Sequence, residues 1–157
     1  MLETIQGTLL LFASISSAML GGIYFIFSNT VMPTLKKVSS GPEVMQVINR
    51  IIQNAGFFIL FFGSFLSGIF LMSLSLLGGS PLSLWIVFGS LLLISAFLST
   101  IFVNVPLNNV LDKQDEHSKE IEQIWLHYVD KWVWWNHLRT VLCSAGAVCL
   151  LIELVSI

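Results

Sequence analysis

The sequence predicts an all-α protein, a single domain over residues 1–157 that forms a transmembrane four-helix bundle with up-down-up-down topology. Of its 157 residues, 55% are hydrophobic and 10% are charged, whereas soluble domains carry about 25% charged residues. No charged residue lies in the stretches 4–35 and 51–111. A bilayer-crossing helix needs about 20 mostly apolar residues. These stretches therefore favour helices in lipid over a water-soluble fold.

The first two predicted spans cover about residues 6–29 and 51–77. We expect the first helix to end at Pro33, because proline lacks the backbone N–H that would continue it. The second helix follows Gly41-Pro42, which places proline at the first helical position. Apolar residues then recur at helical spacing, which predicts one continuous helix that begins outside the hydrocarbon and runs into it.

The third and fourth predicted spans cover about residues 82–105 and 132–155. A turn signal at 78–81, Gly-Gly-Ser-Pro, separates the third span from the second. Pro106 is expected to bend or end the third helix. The fourth helix begins near Ile121 with an amphipathic pattern and enters the membrane at a cluster of tryptophans. Helices two and four are thus predicted to extend beyond the bilayer.

Positive charge defines the predicted orientation. All seven Lys and Arg residues lie in the segments 36–50 and 112–139. The positive-inside rule places both segments, and the extensions of helices two and four, in the cytoplasm. The prediction is a multi-pass protein of the cell membrane with both termini outside. A net charge of −2 gives no support for binding nucleic acid.

Polar side chains are concentrated at the predicted cytoplasmic ends of the spans. An up-down-up-down bundle brings these ends to one depth, so we expect a shared ligand pocket there. The equally weighted alternative is that the amides cap helices and hold them together. The candidate ligand-binding residues are Asn29, Asn104, Asn108, Trp132 and Trp135.

Arg139 is the most informative of the charged residues. It lies just inside the fourth apolar span, where a cation is costly and tends to pair or to bind an anion. At 100° per residue, Trp132, Trp135, Asn136 and Arg139 share one face of the helix. We interpret this face as a site where indole rings hold a flat apolar ligand and Arg139 addresses its oxygen atoms. In the alternative interpretation, Arg139 snorkels to lipid headgroups and the tryptophans form an interfacial belt.

Metal binding and transport have little support in the sequence. His117, His127 and His137 are spaced ten residues apart, about 15 Å along a helix, so they cannot share an ion. We predict no metal site and no cofactor. A proton-coupled exporter would need a carboxylate at mid-membrane, and spans one to three contain none.

Four motifs occur in order along the chain: the run 22–33 (GIYFIFSNTVMP), Ile48-Asn49, Asn104-Val105-Pro106-Leu107-Asn108 and Trp132-x-x-Trp135-Asn136-x-x-Arg139. Together they resemble the anthrone oxygenase-like family of small four-helix membrane proteins. The resemblance implies the four-helix fold. It also implies the reaction of characterised fungal relatives, which oxidise anthrones to anthraquinones with molecular oxygen and no evident metal or flavin; bacterial members are mostly uncharacterised. The motif match carries over Asn104, Asn108, Trp135, Asn136 and Arg139.

Two functional hypotheses follow. In the first, the protein is a cofactor-independent oxygenase of an aromatic, enolisable substrate, with Arg139, Asn136 and His137 as catalytic residues. Arg139 and an asparagine would stabilise the developing oxyanion, and His137 is the nearest titratable base. In the second, the protein is a non-catalytic membrane module that binds a lipid, a quinone or a partner protein. Expected partners are membrane lipid and a hydrophobic aromatic small molecule, whereas the sequence leaves the oligomeric state open.

Overall fold

The computed structural model describes residues 2–77, 83–115, 118 and 120–156. The predicted turn at 78–81 and His117 lie outside these residues. Every regular element within them is helical. The elements in chain order are α1 (Leu2–Ile26), the π-helical segment π1 (Phe27–Val31), α2 (Met32–Leu35), α3 (Gly41–Ile51), α4 (Ala55–Leu77), α5 (Leu84–Ser99), the π-helical segment π2 (Thr100–Asn104), α6 (Val105–Asp112) and α7 (Ile121–Ser156).

Four helices are long and apolar enough to cross a membrane. The first membrane helix joins α1, π1 and α2 without interruption, and the third joins α5, π2 and α6 in the same way. The second is α4, and the fourth is α7. The chain is therefore a multi-pass membrane protein, as predicted.

The four membrane helices form a ring in which each packs against its two neighbours. The first contacts the fourth and the second, and the third contacts the same two helices. Leu10 and Ile86, near the starts of helices one and three, share a core cluster with Leu71 and Leu150, near the ends of helices two and four. This antiparallel pairing confirms the up-down-up-down bundle.

Both membrane helices that contain a proline continue past it. The first reaches Leu35 beyond Pro33, and the third reaches Asp112 beyond Pro106. A π-helical turn precedes each proline, with Met32 N–H bonded to the Phe27 carbonyl and Val105 N–H bonded to the Thr100 carbonyl. The wider i→i−5 turn gives room for the proline ring, which would clash with the carbonyl of residue i−4 in a regular α-helix. The expectation that Pro33 ends its helix was therefore wrong.

The predicted continuous second helix is two helices. It is interrupted at residues 52–54, between α3 and α4. Asn54 stabilises the break, because its Oδ1 accepts a hydrogen bond from Phe57 N–H at 3.1 Å and its Nδ2 donates to the Ile51 carbonyl at 3.1 Å. Asparagine is a preferred N-cap residue, and here it starts α4. The break allows α3 to pack, through Met45, on the core cluster formed by α2, α6 and the start of α7.

Candidate functional site

Arg139 lies in the interior of the bundle, with only 4% of its surface exposed. Its Nη1 donates to Thr100 Oγ1 at 3.2 Å, and its Nη2 donates to Asn136 Oδ1. The guanidinium lies over two aromatic rings, 4.2 Å from the centroid of Tyr24 and 5.4 Å from that of Trp132. Helices one, three and four therefore all contribute to holding this cation in place.

Asn136 fixes the position of Arg139. It is fully buried, and its Nδ2 donates to the Tyr24 carbonyl at 2.5 Å and to Ser28 Oγ at 2.6 Å. Ser28 lies in π1, so the wide turn of the first helix supplies one of these acceptors. With both amide ends bonded, Asn136 has one preferred orientation, and its Oδ1 points to the guanidinium.

No carboxylate of the described chain pairs with Arg139. The two ion pairs in that part of the chain are Lys36–Asp130, at 3.7 Å, and Arg50–Asp112, at 2.7 Å, and all four side chains are largely exposed. Arg139 Nε is buried and has no hydrogen-bond partner among the residues that the structure describes. An unpaired buried charge is costly, and within the described part of the chain neutral dipoles and ring faces compensate this cation.

The guanidinium lines a cavity of about 240 Å³. This volume lies just below the range of roughly 300–1,000 Å³ that is typical of sites for drug-sized molecules, so it suits a small, flat ring system. The wall combines one charge with neutral amides and aromatic rings. Its polar members include Asn49, Thr100, Asn104 and Asn108, and its aromatic members include Tyr24, Phe57, Phe61 and Trp132.

The mouth of the cavity is a slot between the second and third membrane helices. Residues that both line the cavity and are exposed define it: Phe58 and Phe62 from α4, and Ile101 and Val105 from the third helix. Two exposed amide residues, Gln53 and Asn109, also line the cavity. The slot is therefore apolar along most of its length and polar at the end nearer the connecting loops.

A second hydrogen-bond network shapes the polar wall. Asn108 Oδ1 accepts from Tyr128 Oη and from Trp132 Nε1, both at 2.9 Å. Both bonds use the carbonyl oxygen, and none within the described chain uses the Asn108 NH₂ group. Asn104 Nδ2 donates to the Trp132 carbonyl at 3.4 Å, whereas its buried Oδ1 has no partner there. The wall thus presents a free amide donor in the same cavity as the Arg139 cation.

The structure brings together five of the eight predicted site residues. Four of them line the cavity, namely Asn104, Asn108, Trp132 and Arg139. The fifth, Asn136, is not a lining residue but accepts a hydrogen bond from Arg139. The other three do not line it. They are Asn29, which is exposed and bonds the Phe25 carbonyl, Trp135, which packs edge-on against Trp134, and His137, which is exposed.

Helical geometry accounts for the three residues outside the cavity. Trp135 lies at the edge of the arc that contains Trp132 and Arg139, and His137 lies about 100° from Asn136. In π1 the buried residue is Ser28, so its neighbour Asn29 faces outward.

Sequence reasoning missed Tyr24 and Thr100, which both contact the guanidinium. A signal for them exists in the spacing. Tyr24 and Ser28 are four residues apart, as are Thr100, Asn104 and Asn108. Polar residues at i and i+4 in an apolar helix share one face, and here those faces point into the bundle.

The fold and the cavity define a multi-pass membrane protein with a small, buried, aromatic-lined site around one cation. Within the described residues, no three His, Cys, Asp or Glu side chains come together as a metal site.

Residues 50–149 match the family model described as anthrone oxygenase. The chain belongs to the anthrone oxygenase family, in agreement with its motifs. No curated protein and no solved structure matches the chain.

Proposed function

We propose that this protein is a cofactor-independent membrane oxygenase that acts on an aromatic, enolisable substrate of the anthrone type in the Arg139 cavity. The observation that carries the proposal is the guanidinium of Arg139, which lines an aromatic cavity and has no carboxylate partner among the described residues. A planar ring system fits between the aromatic side chains. Its oxygen atom would meet the cation and the free NH₂ group of Asn108.

The chemistry balances without an external reductant. An anthrone carries a carbonyl and, across the central ring, a methylene carbon. Loss of a proton from this carbon gives an electron-rich enolate that can donate an electron to O₂. One oxygen atom becomes the new carbonyl, and the other leaves as water with the two methylene hydrogens. The product is the anthraquinone.

The residues take different parts in this proposal. Arg139 stabilises the negative charge that develops on the substrate oxygen, because a fixed cation in a water-poor site acts strongly on a nearby anion. Asn108 donates a hydrogen bond to the same oxygen. Asn136 acts through Arg139 as a positioning residue, since its own amide is already bonded. His137 is exposed and has no part in the proposal.

Oxygen uptake tests the proposal. Purified protein in detergent is given an anthrone, and oxygen consumption and anthraquinone formation are followed together. We expect equal amounts of oxygen consumed and quinone formed, and a loss of about 100-fold or more in Arg139→Ala, as for removal of an oxyanion-stabilising donor. Arg50→Ala is the matched control, because Arg50 is the only other arginine and is exposed in an ion pair with Asp112.

Wild-type protein with no oxygen uptake above the detergent blank, across a panel of anthrones and quinols, would contradict the enzymatic proposal. Native mass spectrometry of the gently extracted protein would then identify the alternative. A co-purified quinone or lipid would indicate a binding module, and a co-purified protein would indicate a scaffold.

A further inference from the structure

Arg139 is the one charged side chain among the residues that the structure describes as lining the cavity. The titratable groups that interact with its charge are Tyr24 of the first helix and Tyr128 and Cys143 of its own helix. Phenols and thiols ordinarily carry a proton at neutral pH. The third helix contributes Thr100, a neutral hydroxyl. The described site therefore carries one positive charge and no compensating negative charge.

None of these described side chains around Arg139 is suited to accept a proton from a ligand. A neutral phenol donates a proton more readily than it accepts one, and Tyr24 presents its ring face to the cation. Asn and Thr side chains do not titrate. The exposed amides Gln53 and Asn109 connect the cavity to the polar end of the slot.

We infer that the cavity holds its ligand in the ionised form, as an aryl oxyanion paired with Arg139, and that the ligand's proton passes to water at the polar end of the slot rather than to a protein base. The inference concerns the ligand of the same cavity and rests on the proposed function. It rests on geometry as well as on charge. The Arg139 guanidinium and Asn108 both line the cavity, and no hydrogen bond within the described chain uses the Asn108 NH₂ group, so a donor remains in the cavity for the oxyanion.

A chromophoric dye tests the inference in a binding experiment that requires no catalytic turnover. Alizarin is a planar hydroxyanthraquinone that changes colour when a phenol ionises, and it is already a quinone, so the proposed reaction cannot oxidise it. Alizarin bound to the wild-type protein in detergent is titrated from acid to neutral pH by absorbance. A cation within about 4–6 Å lowers the pKa of an acidic group by about 1–3. We therefore expect the bound dye to ionise at lower pH than the free dye, with the anion bound 10- to 1,000-fold more tightly than the neutral form.

Two variants assign the effect. Arg139→Gln should abolish the pKa difference, and Arg50→Gln should match the wild type, because Arg50 is exposed in an ion pair with Asp112. Unsubstituted anthraquinone should displace the dye with an affinity that does not depend on pH.

The wild-type titration is decisive even if Arg139→Gln does not fold. The inference is overturned if the bound dye ionises at its free pKa or above it, if the dye does not bind, or if a folded Arg139→Gln variant retains the effect. A protein that consumes no oxygen but binds the dye as an anion would retain this inference while losing the proposed function.

Discussion

Asn136 joins the backbone of the first helix to the buried Arg139 cation of the fourth. Its amide donates to the Tyr24 carbonyl and to Ser28 Oγ, and its carbonyl accepts from Arg139. A buried polar group that loses its partner costs about 1–3 kcal/mol. Because three groups depend on this one side chain, it determines both local stability and the direction of the guanidinium.

We expect Asn136→Ala to destabilise the protein by about 1–3 kcal/mol, because it leaves buried polar groups without partners. We also expect it to weaken binding of alizarin, since Arg139 loses the contact that orients it. Thermal unfolding in detergent and dye titration measure the two effects. The neighbouring residue provides the control: His137 is exposed, and His137→Ala should change neither quantity. Equal effects of the two substitutions would contradict the positioning role.

At the scale of elements, two irregularities open the slot. The break at residues 52–54 separates α3 from α4, and π2 widens the third helix at Thr100–Asn104. Residues next to both irregularities form the mouth, including Phe58 and Ile101. An apolar mouth on the outer surface of the bundle suits a ligand that dissolves in the bilayer.

We expect Ile101→Trp to slow dye association on the order of tenfold, which corresponds to about 1.4 kcal/mol of added barrier. The larger side chain would narrow the slot without touching the Arg139 contacts. Leu98→Trp is the control, since Leu98 is exposed to a similar degree, 42% against 37% for Ile101, but is not among the cavity-lining residues. Stopped-flow absorbance gives both rates. Equal rates in the two variants would show that ligands do not enter between helices two and three.

The bundle could be predicted from the sequence because its evidence, the long uncharged stretches and the turn signals, is compositional. A local change from α-helical to π-helical geometry does not alter that evidence. The same patterns did not reveal the break at Asn54 or the two π segments. An asparagine within an apolar periodic stretch is equally compatible with a residue that lines a pocket and with a residue that caps a helix. A proline is equally compatible with the end of a helix and with a bend in it. Asn104, Asn108 and Arg139 could be predicted as site residues because they interrupt apolar helices, whereas Asn29 was misplaced because one π turn shifts which neighbour faces inward.

At the scale of the whole molecule, positively charged side chains are distributed asymmetrically along the long axis of the bundle. The described lysines, Lys36, Lys37, Lys113 and Lys131, all lie at the end that carries the connections between helices one and two and between helices three and four. At the opposite end, Glu153 is buried and accepts a hydrogen bond from Ser83 Oγ. Ser83 in turn caps α5 by accepting from Ile86 N–H at 3.3 Å. The hydrogen bond from Ser83 thus gives the buried Glu153 side chain a polar partner at the start of α5.

The charge asymmetry predicts that the lysine-rich end faces the cytoplasm and that both chain ends face outward. Single cysteines test this orientation in a Cys143→Ala, Cys149→Ala background expressed in a bacterial inner membrane. Ser39 and Ser156 are exposed at opposite ends of the bundle, so Ser39→Cys and Ser156→Cys form a matched pair. A membrane-impermeant maleimide should label Ser156→Cys in intact cells and Ser39→Cys only after permeabilisation, because the bilayer excludes the charged reagent. The reverse pattern would place the polar end of the ligand slot on the outside.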